Sequence, residues 1–186
     1  LLSPAFARGQ RNDPAILCGD QVLSYGDLDI EANKAGNVFR ALGVKQGNRV
    51  LMMVRDTPAF VYVYLGLLKI GAVPVGLSTR LAPQDTAYTI DDSGSGFFVL
   101  DEFFKDHFEQ ALTLTRNRPR IVYTDTAIPG AEHLEWLMED AKPDLTAVQT
   151  SWDAPAFWMY SSGTTGKPKG VVHRQKTILA AGKLMG

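Results

Sequence analysis

Cysteine is nearly missing from this chain. Cys18 stands alone among 186 residues, so no internal disulfide can form, and a reducing, cytoplasmic setting is expected. Histidine is scarce as well, and His107, His133 and His173 are scattered at no metal-ligand spacing. Net charge is missing too. Nineteen basic against twenty acidic side chains leave −1 at neutral pH, so no bulk field draws nucleic acid or anionic lipid to the chain. No apolar run approaches the roughly 18–20 residues that cross a bilayer. The opening LLSPAFARGQRNDP is too briefly apolar for a secretory leader and lacks a small-residue cleavage site. There is no initiating methionine either, and we expect a portion of a longer chain.

What is present is globular in composition. Apolar residues make up 45% and charged residues 21%, in a length that suits one domain burying about 70% of its unfolded surface. After a polar start expected to be irregular, Ala15 to Cys18 and Gln21 to Leu23 flank Gly19-Asp20 as a small hairpin. Ser24 and Asp27 form a capping-box pattern. Behind it Leu28, Ala32, Ala35, Phe39 and Leu42 fall at helical spacing, with Gly43 placed to end the helix. Gly47-Asn48 then turns the chain into the apolar strand Arg49 to Val54.

The scheme repeats. Asp56 or Thr57 can cap a helix opened by Pro58, apolar from Phe60 to Ile70 and closed by Gly71. Ala72 to Leu77 reads as a strand, and Pro83 to Asp92 as a helix. Phe97 to Leu100 is a strand, Glu102 to Thr115 a helix, Arg120 to Thr124 a strand and His133 to Ala141 a helix. This alternation predicts an α/β fold, a mostly parallel sheet with helices on both faces. The polar stretch 142–155 reads as a connection to a last strong strand, Ala156 to Tyr160.

The chemistry concentrates in YSSGTTGKPKGVVH, residues 160–173. Glycine lets backbone approach an anion and adopt positive φ, so that consecutive N–H groups can face one phosphate. Ser161, Ser162, Thr164 and Thr165 add hydroxyls, and Lys167 and Lys169 add positive charge. This is what a polyphosphate cradle requires. It is not the G-x-x-x-x-G-K-[ST] loop, because Gly163 and Gly166 are too close and Lys167 precedes Pro168. Pro168 argues against a helix starting at the lysine, and Gly170 to His173 reads as extended. A strand–loop–strand cradle is expected, and composition alone also fits a flexible hairpin.

In order, S-S-G-T-T-G-x-P-K-G resembles the signature loop of the adenylate-forming superfamily of acyl-CoA synthetases, peptide-synthetase adenylation domains and luciferases. LSYGDLDIEANKAGNVFRALGVKQGNRV (23–50) and YLGLLKIGAVPVGLSTRLAPQDTAYTIDDSG (64–94) resemble that family's preceding blocks in the right order. Within it, DTPAF…LGLLKIGAVPV and FWMYSSGTTGKPKGVVH are most similar to benzoate-CoA ligase and related aromatic-acid CoA ligases. The resemblance implies that residues 1–186 are an incomplete part of the large N-terminal AMP-binding domain, ending just after the loop, with the C-terminal domain absent. It implies ATP, Mg²⁺ and CoA as reactants or cofactors, and a small carboxylic acid as substrate. Ser161, Ser162, Gly163, Thr164, Thr165, Gly166, Lys167 and Lys169 would hold the nucleotide. Lys169 and Thr165 would carry catalytic roles, with Thr165 the hydroxyl nearest the metal. The family's acidic metal ligand, ribose-binding aspartate, hinge and assisting lysine lie far downstream of this loop. The 186-residue chain alone is therefore expected to be inert, and to self-associate through surface that the missing parts would cover.

Other residues have plainer readings. Cys18 is expected to pack beside its turn and His173 to be packed or hydrogen-bonded. His107 and His133 are expected at the surface. Asp91 and Asp92 read as solvated and capping residues, and Trp136, Trp152 and Trp158 as core or interface. Phe60, Tyr62 and Tyr64 read as deeply buried or as a dimer contact. Two further classes fit the residues. One is a self-contained nucleotide-binding or phosphotransfer domain, for which Asp125 is the one candidate metal carboxylate. The other is a non-enzymatic interaction module.

Overall fold

A computed structural model of the chain describes residues 2–125, 128–161 and 166–185. The sequence pattern is realised almost element by element. A short helix α1 (Ser3–Ala7), with Pro4 in its first turn, occupies the start expected to be irregular. The hairpin β1 (Pro14–Cys18) and β2 (Gln21–Ser24) turns at Gly19, whose φ of 57° suits glycine. Helix α2 (Tyr25–Ala41) starts at a complete capping box. Asp27 N–H donates to the Ser24 hydroxyl oxygen, and the Ser24 N–H donates to the Asp27 carboxylate.

Then strand and helix alternate: β3 (Arg49–Met53), α3 (Pro58–Lys69), β4 (Val73–Gly76), α4 (Pro83–Ser93) and β5 (Phe97–Leu100). The single helix expected over 102–115 is two pieces. A 3₁₀ turn, Glu102–Phe104, is capped by the Asp101 carboxylate before α5 (Lys105–Leu114) begins. β6 (Arg120–Tyr123), the two-residue β7 (Glu132–His133), α6 (Leu134–Glu139), β8 (Pro155–Ser161), β9 (Lys169–Arg174) and α7 (Gln175–Met185) follow.

Among the described residues, seven strands form one sheet in the order β7-β6-β5-β3-β4-β8-β9. Every neighbouring pair is parallel except the last, where β9 returns antiparallel beside β8. Helices do cover both faces. β3 shows why: Val50 and Met52 point into a core shared with Val38 and Phe39 of α2, Val63 and Leu67 of α3 and Leu134 of α6. Leu51 and Met53 point the other way, toward Ile90 of α4 and Phe108 of α5. A strand buried on both faces must read as an unbroken apolar run, and RVLMM does.

The polar stretch after α6 is bound along the helices it crosses. Asn33 Nδ2 donates to the Pro143 carbonyl at 2.8 Å, and Asn37 Nδ2 donates to those of Lys142 and Asp144 at 2.9 and 3.0 Å. Val148 N–H reaches the Lys69 carbonyl at 2.9 Å. Pairing irregular backbone with asparagine side chains is how such a segment can lie against a core.

His133 corrects a sequence reading. It is buried at the end of β7, where Nε2 accepts from the Ile128 N–H at 2.7 Å and the ring stacks on Tyr123. His107 is half-buried with Nε2 2.9 Å from the Thr86 hydroxyl, and burial lowers its pKa. Trp136 and Trp152 are mostly exposed, so they are not core residues, whereas Trp158 packs against the β3–β5 core. Phe60, Tyr62 and Tyr64 are half-buried and pack against the α2–α3 core. Burial, then Glu135 and Glu31, push the Tyr62 hydroxyl up to about 12.

Candidate phosphate-binding loop

β8 runs parallel to β4, with Val75 opposite Trp158 and Gly76 opposite Met159. Its carboxyl end therefore rises on the same side of the sheet as those of β3, β5 and β6. From there the chain turns and comes back as β9. Tyr160 pairs with Gly170 and Ser161 with Lys169, so the expected strand–loop–strand arrangement is what forms. Ser162, Gly163, Thr164 and Thr165 lie outside the described residues.

The described part of the loop shows how it is held. Gly166 has φ of 130°, a conformation that side chains rarely adopt. Lys167 is exposed and sets its ammonium 5.0 Å above the Tyr88 ring of α4, a cation–π distance. Pro168 is buried, and Lys169 points out exposed at the first residue of β9. The Gly170 position is close against Tyr160, where an added Cβ would meet the ring at 3.4 Å. His173, three residues further on, lies flat on Phe157 with ring centres 4.4 Å apart and 8° between planes. It is a packed residue, as expected.

Beneath the loop, sequence reasoning missed a network. Asp92 is not merely solvated: its carboxylate accepts from the Tyr160 hydroxyl at 2.7 Å and from Tyr88 at 3.2 Å. Burial, then that carboxylate, push the Tyr160 hydroxyl well above the ordinary phenol range. Asp91 faces another way. It accepts from the Thr115 hydroxyl and from the backbone N–H groups of Arg116 and Asn117, which hold its carboxyl below the usual range. Arg49 Nε donates to the Ser93 carbonyl at 2.7 Å while its guanidinium lies 5.6 Å from the Trp158 ring. An open depression of about 500 Å³ runs beside α4, bounded by Tyr88, Asp91, Asp92, Arg116 and Lys167.

A second place on the same side of the sheet is already filled. The chain leaves β3 toward β4 and returns to the opposite side for β5, which creates the crevice where open α/β sheets take ligands. Here Arg55 bridges it. Its Nε donates to Asp101 and its Nη2 to Asp125, both at 2.5 Å, and the Asp125 carboxylate also accepts from Glu102 N–H at 3.0 Å. Burial would raise the Asp101 carboxyl, but hydrogen bonds from Arg55 and from the Phe103 N–H outweigh it and hold it low. Asp125 is thus neutralised by a guanidinium, which counts against it as a metal ligand. Among the described residues, no three His, Cys, Asp or Glu side chains gather at metal-holding distance.

A more apolar cleft lies elsewhere. About 320 Å³ opens between Leu65 and Leu68 of α3 and Gln175 and Ile178 of α7, with Trp152 at its rim. It sits by the start of β8, at the other end of that strand from the loop.

Comparison with known proteins bears on the chain as a whole. A family model described as AMP-binding enzyme matches residues 4–185. A 3-hydroxybenzoate–CoA/4-hydroxybenzoate–CoA ligase of Thauera aromatica is 36% identical over 186 residues, covering 99% of this chain and 36% of that protein. An anthranilate CoA ligase in complex with anthranoyl-AMP superposes with a TM-score of 0.92 at 26% identity, over 98% of this chain and 35% of that one. A benzoate CoA ligase from Burkholderia xenovorans LB400 gives 0.86 at 28% identity, over 98% and 36%. The chain spans about a third of the length of the curated relatives it matches.

Proposed function

The chain belongs to the AMP-binding enzyme family, and on that premise we propose that it is the N-terminal portion of an acid–thiol ligase acting on an aromatic carboxylic acid. In the first step a carboxylate oxygen attacks the α-phosphorus of ATP. The bond from that phosphorus to the bridging oxygen breaks, and acyl-AMP and pyrophosphate result. In the second step the sulfur of CoA attacks the acyl carbon, AMP leaves with its oxygen, and a thioester forms.

The observation that carries the reading is the hairpin that presents the 161–169 loop at the carboxyl end of the sheet, Ser161 paired with Lys169 at its mouth. A carboxylic acid with pKa near 4 is ionised at neutral pH, so the first step needs no general base. It needs negative charge screened and the departing pyrophosphate held. Lys169, Lys167 and the Ser161 hydroxyl supply charge and donors from the described rim. The backbone of Gly163 and Gly166 and the hydroxyls of Ser162, Thr164 and Thr165 would complete the cradle. Mg²⁺ would arrive with the nucleotide and neutralise its phosphates, with Thr165 the hydroxyl assigned nearest to it. The aromatic acid is inferred from the hydroxybenzoate and anthranilate ligases above, since no residue here is assigned to an acyl pocket.

Calorimetric titration of the chain with Mg·ATP, beside Lys169→Ala and Thr165→Ala, tests the cradle. Binding that weakens about tenfold in both variants is expected. Binding equal in all three would overturn it. Acyl-CoA synthesis by the 186-residue chain alone would overturn the expectation that it is inert. A self-contained phosphotransfer domain would hydrolyse ATP without any carboxylate, and the engagement of Asp125 by Arg55 weighs against that reading.

A further inference from the structure

Helix α4 reaches both sides of the loop. On the incoming side, Tyr160 of β8 donates its hydroxyl to Asp92 Oδ2 at 2.7 Å. The other oxygen of the same carboxylate, Oδ1, accepts from Tyr88 at 3.2 Å. Tyr88 and Asp92 are four residues apart and so share one face of the helix. On the outgoing side, Lys167 rests its ammonium on the Tyr88 ring. One turn of one helix therefore grips the chain at residue 160 and again at residue 167.

We propose that Tyr88 and Asp92 are a positioning clamp that fixes the two ends of the loop, at residues 160 and 167, a role that rests on reading the loop as a phosphate cradle. The need follows from composition. Glycine, serine and threonine bring little side chain to pack, so contacts at the two described ends of such a segment carry more weight. Backbone pairing between β8 and β9 fixes its ends along the strands, but β9 has no further strand beside it among the described residues. Contacts from α4 to residues 160 and 167 add a hold across the direction of the strands. Hydrogen bonds from neutral phenols to an ionised carboxylate are strong and directional, which suits this task. Burial and then the Asp92 carboxylate raise the Tyr160 pKa, so its hydroxyl is a donor at neutral pH. The clamp also solves an electrostatic problem. A bare carboxylate near a polyphosphate would repel it, whereas two hydroxyl donors and a nearby ammonium screen Asp92.

The clamp is tested on the 186-residue chain by two readouts that do not require nucleotide. One is amide hydrogen exchange in the β8–β9 hairpin; the other is the NMR signal of the Lys167 Cε protons, which the Tyr88 ring current shifts upfield. In Asp92→Ala, exchange at residues 159–161 and 169–171 should rise about tenfold while β3 and β5 amides hold their rates. In Tyr160→Phe the same amides should quicken with the Lys167 signal unmoved. Tyr88→Leu should return that signal to its ordinary position. Unchanged hairpin exchange in both Asp92→Ala and Tyr160→Phe would overturn the clamp, as would acceleration spread equally over β3 and β5. Titration of the wild-type chain with Mg·ATP is read separately. Local loosening without nucleotide binding would leave the clamp standing and remove the cradle it was argued to serve.

Discussion

Gly36 and Gly66 bring α2 and α3 into backbone contact. A Cβ on Gly66 would lie 2.6 Å from the Ala32 carbonyl oxygen and 2.7 Å from the Gly36 nitrogen, and one on Gly36 would lie 3.0 Å from the Gly66 oxygen. Backbone atoms cannot move aside as a flexible side chain can, so the helices would have to separate. Gly66→Ala is expected to cost about 1–3 kcal/mol through overpacking, despite alanine being the better helix former. Urea unfolding of the variant checks this. Unchanged or greater stability would show that the helices part easily.

These glycines mark the limit of what could be read from sequence. The RVLMM strand, the capping box at Ser24 and the Pro58 and Pro83 helix starts all follow local rules, and each stands where those rules place it. The pairing of β8 with β9 on either side of the loop was legible because Pro168 bars a helix there. Gly36 and Gly66 instead look like poor helix residues until a second helix is placed against them. Asp92 was illegible for the same reason: its partner Tyr160 is 68 positions away. His133 was misread because the two-residue strand that buries it carries no periodic signal.

Arg55 makes a pH prediction. The Asp101 carboxyl is held below its ordinary range in the folded chain. Its contribution is therefore present above the unfolded pKa of about 3.9 and lost as pH falls through the folded value. Arg55→Ala should cost about 2 kcal/mol at neutral pH by leaving a buried carboxylate less well paired. The same variant should lose less stability than wild type on acidification below about pH 4. Urea midpoints at neutral and acid pH measure both effects. Equal acid sensitivity in the two proteins would sink the assignment.

Trp158 offers a test of the opposite sign. Its indole Nε1 is buried without a hydrogen-bond partner among the described residues, an arrangement that carries a desolvation cost and no return. Trp158→Phe removes that N–H but also trims packing against the core. The two effects should nearly cancel, leaving stability within about 1 kcal/mol of wild type. A loss of 3 kcal/mol or more, about what a large-to-small core change costs, would mean that the indole's bulk decides the matter.

Gly166 bears on the loop directly. At φ of 130° an alanine would be strained by about 1–3 kcal/mol, although none of the described residues stands within 4 Å of an added Cβ. Gly166→Ala is expected to lower the unfolding free energy by no more than that strain, about 1–3 kcal/mol, and to weaken Mg·ATP binding about tenfold or more. Full affinity in this variant would show that the loop binds phosphate in another conformation.

The last strand governs association. Met159 and Val171 are cross-strand partners and are about half exposed, while Val172 on the other face is 46% exposed. β9 thus combines apolar side chains on both faces with a free backbone edge among the described residues, the features that invite pairing with another chain. Lys169 and Arg174 at its two ends are the only charges along it, too few and too far apart to block approach at the middle. Self-association that grows with concentration is expected for the 186-residue chain. Val171→Lys should reduce it by placing a charge at the centre of the edge strand without disturbing a buried contact. Sedimentation velocity across a hundredfold concentration range would show this, and a monomer throughout in the wild-type chain would count against it. Association that persists unchanged in Val171→Lys would move the interface to another apolar surface, such as the Leu17–Val22 pair on the β1–β2 hairpin, where both side chains are more than half exposed.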